Sequence, residues 1–222
     1  MVNSIYNAQQ LQALKGVSFV VFTGDNINKP DPKDLQAFLK IVKKLHVPYY
    51  LAMGNHDAFK SGELSKAHYN EILRNNNLFW FHNSWNYTFK KKGYVFIVLD
   101  GAKEVIPGHA GYYKEDTLNW LDKQLTKYKK KPVIILQHFP VIDMPDFESG
   151  RLKTHRTYQV EKYLSVLDKH DNVLAVISGH FHVNSEAMKN GVYHISSPTL
   201  LRHPYSYKIV DIVSKKGLSP II

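Results

Sequence analysis

The sequence contains no cysteine. That excludes disulfides and thiolate metal sites, so any bound metal must be held by His, Asn, Asp or Glu. No run approaches the roughly 18 apolar residues that would suggest a bilayer-spanning helix. The opening MVNSIYNAQQ has neither a basic stretch nor an apolar one, so no export signal is read there and a cytoplasmic location is expected by default. Internal repeats, low-complexity tracts and linkers are missing too. Acidic residues are in short supply: 19 Asp and Glu stand against 29 Lys and Arg, a formal charge of +10. Such an excess attracts anions, whether nucleic acid, acidic lipid headgroups or small phosphorylated molecules, and does not choose among them. Lys90-Lys91-Lys92 and Lys127 through Lys131 fall at strand edges or a helix end and read as solvated side chains.

What is present suits one hydrophobic core: 222 residues, 44% hydrophobic and 22% charged, with 1–222 expected to form a single domain. Residues 3–15 read as a helix with Leu11 and Leu14 on its apolar side, ended by Gly16 ahead of a strand over 17–22. A second helix follows Asp31-Pro32, with Leu35, Phe38, Leu39 and Val42 at helical spacing. Pro48 then precedes the strand 49–53. Two more apolar strands run over 132–136 and 173–177, and helices are expected over 117–130 and 158–170. Asn190-Gly191 signals a hairpin between 186–188 and 192–195, with a last strand expected near 207–213.

Continuous apolar strands alternating with helices indicate an α/β fold in which the strands are covered on both faces. Four of these strands end on polar clusters: Gly24-Asp25-Asn26, Gly54-Asn55-His56-Asp57, His138, and Gly179-His180-Phe181-His182. Groups at the carboxyl ends of strands in such sheets gather at one crevice. Asp25, Asn55, His138, His180 and His182 are oxygen and nitrogen donors of the kind that hold catalytic divalent metals.

In type, order and spacing, GDN at 24–26, GNHD at 54–57, the histidine of QHFP at 138 and GHFH at 179–182 resemble the calcineurin-like metallophosphoesterases, across residues 17 to 213. The resemblance implies a two-sheet β-sandwich flanked by helices, with a centre of two divalent ions, Mn, Fe or Zn. It implies that Asp25 bridges both ions, that Asn55, His138 and His180 complete the second site, and that His182 contributes to the first. His56 becomes the catalytic residue, donating a proton to the leaving oxygen or stabilising the transferring phosphoryl group, and contacts substrate with Asn55; apart from the resemblance, Arg202 is a candidate substrate contact because Arg binds phosphate bidentately, with a surface role equally open. The implied activity is hydrolysis of a phosphodiester or phosphomonoester by a metal-bound hydroxide. The stretch from Leu99-Asp100-Gly101 to Trp120-Leu121 is most similar to the cyclic-nucleotide phosphodiesterase branch, which points to a small nucleotide substrate.

Two features depart from that pattern. The family's opening Asp-x-His motif has no counterpart before Asp25, so the domain is expected to be N-terminally incomplete, lacking a first strand and binding one ion tightly rather than two. Asn28 also stands where many relatives have a carboxylate that orients the catalytic histidine; its side-chain oxygen, or Asp57, could serve instead, although a turn role suits Asp57 equally. Asp100 reads as a turn cap, and His109 and His155 have no assigned role. Two other functions stay open: a non-catalytic scaffold of the same fold, as in the retromer subunit that lacks the counterpart of His56, and a nuclease drawing on the positive charge.

Overall fold

The computed structural model describes residues 16–58, 64–76, 80–103, 108–147, 155–200 and 205–213. The helix expected over 3–15 and the substrate contact expected of Arg202 lie outside these residues. Two sheets form. The smaller pairs β1 (Val20–Phe22) with β2 (Tyr49–Leu51) in parallel. The larger has the order β3-β4-β5-β6-β8-β7, with β3 Tyr87–Lys91, β4 Tyr94–Leu99, β5 Val133–Gln137, β6 Val173–Ser178, β7 Ser185–Lys189 and β8 Val192–Ser196. Its centre, from β4 through β8, is parallel, and an antiparallel hairpin closes each edge.

Local chemistry explains the elements. Helix α1 (Pro32–Val42) begins where Asp31 accepts a hydrogen bond from the Lys33 amide, with Pro32 in the first turn, and it buries Leu35, Leu39 and Val42 along one stripe. α2 spans Lys66–Asn76 and buries Tyr69 and Leu73. α3 (Glu115–Lys127) buries Leu118, Leu121 and Leu125, while α4 (Val160–Leu167) buries Tyr163, Val166 and Leu167. The Asn172 side chain donates to the carbonyls of Leu125 and Tyr128, satisfying the end of α3. Asn190 and Gly191 both have positive φ, 50° and 78°, as a two-residue hairpin turn of the primed type requires.

The sheets face one another across an aromatic layer. Phe19 meets Phe89 and Phe96 edge-on, and Tyr50 stacks on Phe89. Tyr87 on β3 binds the last residue of β2 through its hydroxyl, which donates to the Leu51 carbonyl at 2.8 Å and accepts from its amide at 3.0 Å. One phenol thus satisfies both backbone polar groups of Leu51 and pins the start of the Gly54-Asn55-His56-Asp57 loop to the larger sheet.

The sequence reading differs from the structure at several elements, and β2 ends at Leu51 instead of residue 53. β1 is shorter than expected and its residues are only half-buried, although every one is apolar. Residues 205–212 form no strand, and Ile209 and Val213 are exposed, so their apolar pattern is not a core face. β3 and α2 escaped notice because neither carries a long apolar pattern: β3 ends in two lysines and α2 buries only one aromatic and one leucine among its apolar residues.

Candidate metal centre

Asp25, Asn55, His138 and His180 follow β1, β2, β5 and β6 respectively, so two sheets deliver the four side chains to one place. His138 is at the middle. Its Nδ1 lies 2.7 Å from the Thr23 carbonyl, an acceptor only, so Nδ1 carries the proton. Nε2 therefore faces inward, 3.1 Å from His180 Nδ1, 3.2 Å from Asn55 Oδ1 and 3.3 Å from Asp25 Oδ2. Donor atoms of Asp25, His138 and His180 all lie within 4.8 Å of one another. Lone pairs packed this closely repel unless a proton or a cation stands among them.

The titration behaviour has the same origin. Burial works to raise the Asp25 carboxyl, but the charge and hydrogen bond of His138, helped by the His56 amide, hold it well below the usual carboxylate range. His138 is pulled down by burial, yet Asp25 outweighs that and raises it. His180 is pushed well below the ordinary imidazole value by burial and then by His138, so it stays neutral with its lone pair available. Its Nε2 is buried and has no hydrogen-bond partner among the described residues. Two imidazoles, a carboxylate and an amide oxygen fit Mn, Fe or Zn, and the orphaned nitrogen supports that fit.

Close packing makes the convergence possible. A Cβ at Gly24 would stand 2.5 Å from His138 Nδ1, and one at Gly54 would collide with the Asp25 carboxylate. Asp25, His180 and His182 adopt left-handed backbone conformations, φ 54°, 67° and 58°. Strain of this kind is held in place by surrounding structure and concentrates at functional sites.

The His56 amide donates to Asp25 Oδ1 at 2.9 Å, and its ring Nδ1 lies 2.9 Å from the backbone carbonyl of Asn28. Position 28 therefore orients His56 through the main chain, and the Asn28 side chain is not needed for it. That bond leaves Nε2 as the outward nitrogen. His182 is exposed and outside the three-residue group, although near enough that its charge lowers His180.

Asp57 is neither a surface residue nor a partner of the His56 ring. Fully buried, it accepts from the Gly54 amide at 2.8 Å, the Asn26 side chain at 3.0 Å and the Ile27 amide at 3.1 Å, tying the β1 and β2 loops together. Burial and then the charge of Asp25 push it up to about 7. Replacement of Asp57 by Ala strands three donors in the interior, so a loss of about 3 kcal/mol or more is expected, read by urea unfolding of the metal-free protein. A loss under about 1 kcal/mol would show that water or a rearranged loop takes up those donors.

Two histidines without a role in the sequence reading lie beside the centre. His155 stacks on His109 with centroids 4.8 Å apart, and lies 5.3 Å from His180, while His109 is 6.4 Å from His56. Neither residue directly follows a strand, so the strand-end argument does not reach them. Asp100 caps its turn as expected, accepting from the Ala102 amide, and also pairs with Lys66.

The family model described as calcineurin-like phosphoesterase matches residues 3–184. Among curated proteins, a probable glycerophosphodiester phosphodiesterase of Arcobacter nitrofigilis is 28% identical over 78% of this chain and 59% of its own length. A 3',5'-cyclic-nucleotide phosphodiesterase of Nostoc is 22% identical over 82% and 62%. The chain thus spans less than two thirds of either relative. Among solved structures, a dimetal phosphatase from Danio rerio has the same fold, with TM-score 0.64 and 21% identity over 89% of this chain and 77% of that one.

Proposed function

We propose that this chain, which belongs to the calcineurin-like phosphoesterase family, hydrolyses a phosphodiester or phosphomonoester at a divalent-metal centre held by Asp25, Asn55, His138 and His180. The observation that carries the reading is the inward crowding of lone pairs around His138 Nε2. Divalent cations, when bound, supply Lewis acidity and lower the pKa of water.

The protein groups have separate tasks in this reading. Asp25 presents a carboxylate whose Oδ1 is fixed by the His56 amide and whose Oδ2 faces His138, a disposition suited to bridging. Asn55 is a neutral ligand and leaves the Lewis acidity intact. Thr23 fixes the His138 tautomer through its carbonyl. His182 serves the outer side of the centre. His56, anchored through Nδ1, turns Nε2 to the ester and protonates the leaving oxygen. His109 and His155 bound the substrate side, and Arg202 is proposed as a further substrate contact on its chemistry alone.

The proposed metal is Mn, Fe or Zn, with one ion held tightly by these four ligands where the family's pattern has two, and residues 1–222 are proposed to act as one domain in the cytoplasm. A small nucleotide phosphodiester, a cyclic nucleotide above all, is the proposed substrate class; the names of the two curated relatives make cyclic nucleotides and glycerophosphodiesters the first esters to try. The test is hydrolysis of bis-p-nitrophenyl phosphate, a 3',5'-cyclic nucleotide and a glycerophosphodiester with Mn²⁺. Activity that a chelator abolishes and metal restores is expected. No hydrolysis of any ester by metal-loaded protein would turn the reading to a scaffold, and cleavage of DNA alone to a nuclease.

A further inference from the structure

Folding brings the two lysine runs together. Lys92 and Gly93, with φ of 47° and 88°, make the tight turn between β3 and β4, and the residues after α3 lead into β5 beside it. The Val95 amide bonds the Pro132 carbonyl, and Val95 and Val133 are register partners, so the hairpin turn and the α3–β5 loop are neighbours. Between them lies a concavity of about 180 Å³ lined by Lys90, Lys91, Lys92, Gly93, Tyr94 and Lys131. No acidic side chain lines it. Lys90 and Lys127 both rest on the Tyr128 ring, at 5.1 and 5.3 Å from its centroid. Among the described residues, none of these lysines takes part in an ion pair.

A concavity lined by four lysines and no carboxylate is a site of positive potential, and among the described residues no acidic group is paired with these lysines. An anion is the missing complement. We infer that this concavity is a second phosphate-binding site, separate from the metal centre, for a compact ligand carrying several phosphoryl groups. It sits at the amino ends of β4 and β5, while His138 follows the carboxyl end of β5, so a strand of five residues, roughly 17 Å long, separates the two sites. A compact ligand is favoured over nucleic acid on two grounds. The charge is gathered into one concavity instead of a stripe, and with the Tyr128 ring already taken by two lysines, Tyr94 is the one aromatic residue of the lining, where single-strand binding uses a row of rings. Lysines without arginine suit ligands bound by charge, not by a planar fork.

The phosphoryl cluster could belong to a soluble molecule or to a lipid headgroup, and one chemistry presented two ways separates them. Binding of inositol 1,4,5-trisphosphate is measured by calorimetry, and binding to phosphatidylcholine vesicles with and without phosphatidylinositol 4,5-bisphosphate by sedimentation, each at low and physiological salt. The probes are applied to the metal-loaded chain, to Lys90→Gln/Lys92→Gln/Lys131→Gln, and to Asp25→Asn. The triple variant removes the charges but keeps polar, unbranched side chains and is expected to bind at least about tenfold more weakly, while Asp25→Asn binds as the parent does and the triple variant keeps the parent's ester hydrolysis. Binding of the soluble headgroup identifies a free ligand; binding only to vesicles that carry it identifies a membrane source. Equal binding by parent and triple variant, loss in Asp25→Asn instead, or salt-steep binding to duplex DNA without binding to either inositol probe would overturn the inference.

Discussion

Replacement of Asp25 by Asn is expected to remove bound divalent metal and phosphoester hydrolysis together. Asn is the informative choice for two reasons. It keeps the size of the side chain, and it is among the few residues that tolerate the left-handed φ of 54° at this position, so the backbone need not move. What it deletes is the negative charge among lone pairs that otherwise repel. Several kcal/mol of charge stabilisation depend on a bound metal, so the rate should fall on the order of 10³ or more. His138, raised by Asp25 in the parent, should lose that support, and Asp57, pushed up in part by the same charge, should be relieved. The measurement is metal content by mass spectrometry beside turnover of bis-p-nitrophenyl phosphate, with the thermal midpoint of metal-free protein as the folding control. Parent-like metal content with a rate within tenfold would remove Asp25 from the centre altogether.

The reach of the sequence follows from what each residue type encodes. Strands β5 and β6 were readable because a strand buried on both faces needs an unbroken apolar run, and the polar residues after β1, β2, β5 and β6 had to gather where the strand ends meet. Asn190-Gly191 and Asp31-Pro32 were readable because turn and cap chemistry is local. The rest depends on who the neighbours are. Nothing local distinguishes Asp57 on a loop surface from Asp57 holding two loops together, and only the fold supplies its three donors. The orienting group for His56 could not be read because a backbone carbonyl has no side-chain signature. His109 comes from a loop and His155 from a helical residue, neither at the end of a strand, and the lysine runs meet only because β4 and β5 are adjacent in the sheet.

The same argument decides how His56 should be tested. Truncation to Ala removes the ring that faces the ester but keeps the main-chain amide that donates to Asp25 Oδ1. Metal content should therefore stay at the parent level while turnover falls by about 10² to 10⁴, the range for a lost general acid. Leaving-group chemistry sharpens the expectation. p-Nitrophenolate departs without help, whereas an alkoxide needs a proton as its bond to phosphorus breaks, so the loss should be larger for an alkyl or nucleoside ester than for the p-nitrophenyl ester. A group that only stabilised charge on the phosphoryl oxygens would depress both esters alike. Loss of metal in this variant would mean that His56 holds the Asn55 loop in place and does not act on substrate. Unchanged turnover of an alkyl ester would leave no catalytic role for the ring, and the proton would then have to come from elsewhere in the crevice, with His109 and His155 the next residues to replace.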